Sequence, residues 1–397
     1  MTIWQQFKND FSISAFVAGL IAVIVSLTGP VAIVFQAAKA GNLTEPQLIS
    51  WVWAICMASG LCGLLLSLRY KTPVICAFSS GGAALMINAM PHYSYNELIG
   101  AYLFSATLII FLGFSGLFSR LMQYIPKSIV AGMLAGILFE FGAGLFSALS
   151  GFPALVLPII IAYLLTKRWS ARYAVLMALI TGLLLTAAFG KLDISVLTLE
   201  IATPVFTSPA FSLQSIMGVG IPLAFVALAS QYAPGIGVLQ ASGYHHIPVS
   251  PLITQTGLAS LLLAPFGLHG ATLAAITAAI CTGPEAHPDS NRRYIAGIVC
   301  GVFYILFGVF ATLVTSLFIA IPETFVATLA GLALLGALSS GLAGAMQNES
   351  QRESGLITFL IAASGISFWG IGAAFWGLVG GVLTHLILLY GTQKHTA

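Results

Sequence analysis

Charge is what this sequence has least of. Lys and Arg number 14 and Asp and Glu 11, together 6% of 397 residues, against 59% hydrophobic residues and a formal net charge of +3. A soluble domain is roughly one-quarter charged, so no stretch here is polar enough to make one. The mean hydropathy of +1.02 marks a chain that passes repeatedly through a lipid bilayer. No nucleic-acid partner is expected. Cysteine is also scarce: Cys56, Cys62, Cys76, Cys281 and Cys300 all fall in or at the ends of apolar segments. They show neither metal-ligand spacing nor a secreted disulfide framework and read as small core residues, so no metal is expected. A nucleotide-binding glycine loop is missing, as is any Ser-His-Asp set that the topology would bring together. The sequence therefore predicts no cofactor, no ATP-driven step and no enzyme. A cleaved signal peptide is not expected either, because Phe11 to Ala38 is apolar for longer than an h-region of about 7–15 residues and lacks a small-residue cleavage site.

What is plentiful is glycine and proline, 41 and 17 residues, spread through the apolar segments. That suits a bundle of helices that approach closely and sometimes break. At roughly 20 residues per crossing the chain divides into fourteen segments, among them 11–39, 72–90, 211–240, 267–282, 293–320 and 371–391. The basic residues fit that count. With a cytoplasmic N-terminus, Lys8, Arg69, Lys71, Arg120, Lys127, Lys167, Arg168, Arg172, Arg292, Arg293, Arg352 and Lys394 all fall inside, and only Lys39 and Lys191 outside. Both termini are thus expected in the cytoplasm.

Short patterns recur about half a chain apart. "SLTGPVAIVFQAA" (26–38) matches "SQYAPGIGVLQAS" (230–242), aligning Pro30 with Pro234, and "YIPKSIVAGMLA" (124–135) matches "AIPETFVATLAG" (320–331). Two repeats, about 1–200 and 201–397, are expected. Seven spans per repeat is odd, so the second enters the membrane from the other side, and the expected fold is an all-α integral membrane protein of 14 spans with a 7+7 inverted repeat. Secondary transporters have this architecture, with broken helices meeting near the midplane.

The third and tenth segments are the broken ones. "KTPVICAFSSGGAALM" opens with Pro73 and reaches Ser79, Ser80, Gly81 and Gly82 before a helical run resumes. "GLHGATLAAITAAI" passes His269, Gly270, Ala271, Thr272 and Leu273 before doing the same. Each predicts a short extended half followed by a half-helix. A helix that begins inside the membrane offers unpaired N–H groups and a positive dipole end, and two of them facing each other suit an anion. Pro30 and Pro234 deprive the carbonyls of Ser26 and Ser230 of helical partners. With Thr28, Gln231 and Tyr232 these are expected to line the cavity between the two tips.

Few ionisable groups lie within the spans. Glu140 is a candidate proton carrier, with snorkelling or pairing with Lys191 as the alternative. His269 is a candidate for holding a carboxylate or for proton coupling, with a hydrogen-bonded structural role as its alternative. His385 reads as packing or an end residue. Glu285, His287 and Asp289 read as a loop salt-bridged to Arg292 and Arg293 rather than a metal site.

At "SQYAPGIGVLQASGY" and "AAITAAICTGPEAHPDSNRRYIAG" the sequence resembles the BenE-type benzoate membrane transport family, and more distantly the uracil/xanthine and sulfate/bicarbonate transporters. The resemblance covers the whole length. It implies a core domain of residues 1–119 and 211–320 that moves like an elevator against a gate domain of 120–210 and 321–397. It also implies proton symport of a small aromatic carboxylate, benzoate-like, through a bacterial inner membrane. The family's "SQN-x-PG" pattern falls on Ser230, Gln231, Tyr232, Pro234 and Gly235, with Tyr232 in place of asparagine. In "GLHGATLAAI" Thr272 likewise replaces an asparagine. The carboxylate is expected on the backbone N–H groups of Ser79–Gly82 and Ala271–Leu273, with Gln231 and Tyr232 against the ring or carboxylate edge. A nucleobase carrier on the same fold would want a carboxylate near Gly270 to Thr277, where there is none. A passive anion channel is the other alternative, and the sequence leaves a homodimer open.

Overall fold

The computed structural model describes residues 10–118, 126–369 and 371–392. Lys8, Arg120 and Lys394 of the basic residues counted above lie outside them. The first half of the chain contains α1 (Ile13–Thr28), α2 (Pro30–Ala40), α3 (Glu45–Tyr70), β1 (Cys76–Phe78), α4 (Ser80–Ala89), α5 (Tyr95–Phe114), α6 (Lys127–Gly151), α7 (Pro153–Trp169) and α8 (Ala174–Ala188). In the second follow α9 (Leu213–Ala241), α10 (Val249–Leu263), β2 (Ala271–Leu273), α11 (Ile276–Thr282), α12 (Tyr294–Val309), α13 (Ala311–Ile319), α14 (Glu323–Met346), α15 (Arg352–Ala363), a two-residue hairpin pair β3 (Ser367–Phe368) and β4 (Ile371–Gly372), and α16 (Ala373–Thr392). Eight helical runs among the described residues are long and apolar enough to cross a membrane.

Local chemistry sets the ends of these helices. Ser94 and Glu97 form a reciprocal cap at the start of α5, and Thr44 and Gln47 do the same for α3. Ser12 caps α1 by accepting from the Ala15 N–H at 3.1 Å. Between α1 and α2 the helix is interrupted at Gly29, because Pro30 has no N–H to return to Ser26. Opposite it in the second half, α9 contains two π turns, Ile216–Gly220 and Leu228–Tyr232, the second just ahead of Pro234. Such bulges absorb an irregular hydrogen-bond register and gather at functional sites.

The third and tenth segments are not rods. β1 and β2 pair antiparallel in the register Cys76↔Leu273, Ala77↔Thr272 and Phe78↔Ala271. The pairing satisfies backbone groups that hydrocarbon would leave bare. One expectation about the tenth segment needs correction: the half-helix does not begin at Ala271–Leu273. Those residues are strand, and the Ala274 N–H still bonds the Ile75 carbonyl at 2.9 Å, so the ladder holds the chain extended until Ala275. The eleventh segment also differs, bending at Phe310 (φ −102°, ψ 35°) into α12 and α13.

Two sets of helices pack around these strands. In one, α12 lies against α3 and α1, α10 against α5, α2 against α4, and α11 against α1. The other joins α6 to α14 and α15, α15 to α16, and α7 to α8, with α14 reaching across to α2. Small residues permit a close crossing of α3 and α12 in the first set: a Cβ on Gly60 would lie 2.8 Å from the Gly301 carbonyl oxygen, and one on Gly301 2.8 Å from that of Gly60.

Candidate functional site

Between the two sets lies a cavity of about 2100 Å³. Its interior wall includes Ser26 and Pro30 from the α1–α2 break, Ser80 and Gly81 from the tip of α4, and Ser230 and Gln231 from the π turn of α9. Lys127 at the start of α6, Lys167 near the end of α7, Glu285 and Glu349 also line it.

The tip of α4 is built in detail. Ser79 is extended (φ −73°, ψ 101°), and its hydroxyl accepts from the Gly82 N–H at 3.0 Å while its carbonyl accepts from Ala83 at 2.8 Å. That arrangement is an N-cap. It leaves the Ser80 and Gly81 amides without a carbonyl partner within the helix, at its positive end and beside the cavity. Glycine is required here by close approach, since a Cβ on Gly81 would stand 2.7 Å from Val226 Cγ1 and one on Gly82 2.6 Å from Leu223 Cδ1, both on α9. Gln231 completes the corner, its Nε2 donating to Ser80 Oγ at 3.2 Å. From the second half, Ala274, Ala275 and Thr277 reach the same cavity at the start of α11.

Of the residues expected at the site, Ser80, Gly81 and Gln231 line the cavity, as do Ser26 and Ser230 at the two proline breaks. The others stand behind it. Thr28 is buried, its hydroxyl donating to the Val25 carbonyl at 3.3 Å. Tyr232 does not reach toward a ligand as expected. It is fully buried, its hydroxyl 2.7 Å from Thr256 Oγ1 and donating to the Ala271 carbonyl at 3.1 Å. Ala271 is held on its other side by Ser260, whose hydroxyl accepts its N–H at 2.8 Å. The Thr272 hydroxyl donates across the ladder to the Ala77 carbonyl at 3.2 Å, Gly270 accepts from the Ser79 N–H at 3.1 Å, and Leu273 is buried. The amides of Ala271–Leu273 thus belong to the scaffold of the site, because strand pairing and Ser260 place them away from the cavity.

His269 links the two broken segments. It is 2% exposed, and Trp51 Nε1 donates to its Nδ1 at 3.0 Å. An indole N–H only donates, so the ring proton sits on Nε2, which donates to the Ser79 carbonyl at 2.9 Å. Trp51, Phe78 and Tyr102 meet the imidazole edge-on. Both ring nitrogens are engaged in holding the cap of α4. Glu140 is exposed and off the cavity wall, and Lys191 lies over the Phe152 ring rather than against Glu140. In the "PEAHPD" loop, Arg292 pairs with Asp289 and Asp10, both at 3.6 Å, while Arg293 donates to the carbonyls of Thr282 and His287, both at 2.7 Å. No cluster of metal-ligating side chains is found among the described residues.

Sequence reasoning passed over three contributors. Thr256 and Ser260 sit four apart on one face of α10, a spacing that carried a readable signal of a polar stripe in an apolar helix. Trp51 gave no such signal. His385, read as packing, is half-buried on the cavity wall.

A bundle of apolar helices whose two interrupted segments abut beside a cavity open on one face defines a class: a multi-pass membrane transport protein, not an enzyme. More narrowly, the chain belongs to the benzoate membrane transport protein (BenE) family, which it matches over residues 9–387. It is 43% identical over 388 residues to a benzoate membrane transport protein of Acinetobacter baylyi, covering 98% of each chain. To the Escherichia coli inner membrane protein YdcO it is 41% identical, covering 94% of this chain and 95% of that one. Solved structures share the fold at low identity. The murine anion transporter Slc26a9 in an inward-facing state gives a TM-score of 0.65 at 16% identity, with 97% of this chain covered and 69% of that one. The transmembrane domain of the cyanobacterial bicarbonate transporter BicA gives 0.58 at 16%, with 95% and 96% covered.

Proposed function

We propose that the protein imports a small aromatic carboxylate, benzoate-like, across a bacterial inner membrane by proton symport. The observation that carries this reading is the tip of α4: two unpartnered amides, Ser80 Oγ and the Gln231 amide group meet in a cavity whose wall beside them includes apolar side chains. A helix terminus is worth about 0.3–1 kcal/mol to an anion when exposed and up to about 2 when partly buried. Capped donors at that tip therefore suit a carboxylate without a fixed arginine, and Val25, Ile33 and Phe78 offer the ring an apolar wall. The names of the Acinetobacter and Escherichia relatives support the substrate class and the membrane.

The same reading takes the chain across the bilayer fourteen times with both termini in the cytoplasm. The core (1–119 and 211–320) then moves against the gate (120–210 and 321–397). In support, the two packing sets follow that division, and Lys127 and Lys167, expected on the cytoplasmic side, line the cavity. On the opposite face Lys39 of the core pairs with Glu323 of the gate. On this reading the conformation is inward-open.

The test is uptake into liposomes holding the purified protein, with labelled benzoate outside and an imposed inward proton gradient. Accumulation that a protonophore abolishes is expected. Equal rates with and without the gradient would remove symport in favour of a passive channel, and uptake of uracil but not benzoate would replace the substrate class.

A further inference from the structure

Three ionisable side chains lie well inside the apolar segments: Glu140, His269 and His385. Their surroundings separate them. Glu140 is exposed off the cavity wall, and His269 is buried with both ring nitrogens engaged. His385 alone of the three lines the cavity, half-buried on α16 about two turns before that helix ends at Thr392. Imidazole is the side chain whose ordinary change of charge falls between about pH 5 and 8, and an ionisable group in a membrane helix facing a water-filled cavity marks a proton pathway.

We propose that His385 is the proton-binding residue that couples substrate movement to the proton gradient. The inference rests on the symport reading above. α16 packs on α15, α6 and the first half of α9. The charged groups of those elements are Arg352 and Glu353 at the start of α15 and Lys127 and Glu140 on α6, and α9 has none. Lys127, Lys167, Glu285, Glu349 and Tyr163 line the same cavity. His385 belongs to the gate set, the tip of α4 to the core set. An imidazolium on one side and a carboxylate on the other attract across the gap, so each raises the occupancy of the other; this reciprocity is what coupling requires. The proton leaves as the carboxylate does, when the cavity fills with water.

The experiment compares wild type with His385→Gln and His385→Asn in liposomes, using labelled benzoate in two assays. Counterflow exchange needs no net proton movement, and gradient-driven accumulation does. The expected result is counterflow within about twofold of wild type, accumulation lowered about tenfold or more, and a benzoate affinity that no longer varies with pH between 5 and 8. Variants that accumulate as wild type does would overturn the assignment while leaving symport intact. Loss of counterflow in both variants would make the histidine structural and overturn it too. A wild-type protein that exchanges benzoate but ignores the gradient would remove the symport reading, and the assignment with it.

Discussion

Gln231 and Glu140 make the sharpest contrast between single residues. Gln231 stands on the cavity wall with its amide fixed by Ser80, whereas Glu140 lies exposed away from it. A hydrogen bond to a charged group is worth about 1.5–3 kcal/mol. Gln231→Ala should therefore weaken benzoate binding about tenfold or more in a calorimetric titration, and Glu140→Gln should stay within about twofold. The reverse ranking would move the site toward α6. Trp51 makes a prediction of a different kind. Trp51→Phe keeps the ring but removes the donor to His269 Nδ1, leaving a buried acceptor bare at a cost of about 1–3 kcal/mol. Thermal unfolding in detergent should fall, and benzoate binding should weaken through the loosened Ser79 cap; an unchanged melting curve would contradict the strut role. In the sequence, Gln231 was singled out by its place between Ser230, whose carbonyl Pro234 deprives of its usual helical partner, and that proline. Tyr232 misled because adjacency in sequence says nothing about direction: neighbours on a helix turn about 100° apart, which sends Gln231 to the cavity and Tyr232 to Thr256 and Ala271.

Among the elements, the two strand-plus-helix units set the geometry of the site. Their breaks were readable from Pro73, the Ser79–Gly82 run and the glycines around His269. What could not be read was the register between them, since pairing of Ala77 with Thr272 is a contact between distant parts of the chain. That register delays α11 to Ile276 and turns Ala271–Leu273 into scaffold. The approach of α4 to α9 gives the prediction at this scale. Gly81→Ala places a methyl 2.7 Å from Val226 Cγ1, closer than the packing tolerates, with overpacking costing about 1–3 kcal/mol. Uptake should drop, and Val226→Ala in the same chain should restore part of it, because residues in contact do not act additively. Equal loss in the single and double variants would place the damage elsewhere than this crossing.

For the molecule as a whole, the apolar composition anticipated a helical membrane protein, and each of the fourteen apolar segments overlaps at least one helix. Eight of the helical runs among the described residues are long and apolar enough to cross a membrane. The direction in which the cavity opens was not legible, because it depends on which contacts between the two sets are made and which are broken. The Lys39–Glu323 pair between the two sets, which the inward-open reading puts on the closed face, is exposed on both sides, and such pairs contribute about 0–1 kcal/mol. Glu323→Gln should thus shift the equilibrium toward the outward-open form by at most about fivefold. Labelling of a cysteine placed at Ser340, on the cavity wall, measures it: slower modification from the cytoplasmic side is expected, and unchanged modification would show that the pair holds nothing closed. The central claim is that a carboxylate sits on the first amides of α4, and a solid-state NMR distance from carboxyl-labelled benzoate to the ¹⁵N of Gly81 in membranes tests it most directly. A hydrogen-bonded carboxylate predicts a carbon-to-nitrogen distance of about 4 Å or less; no dipolar coupling to Gly81 from a benzoate that binds saturably would contradict it.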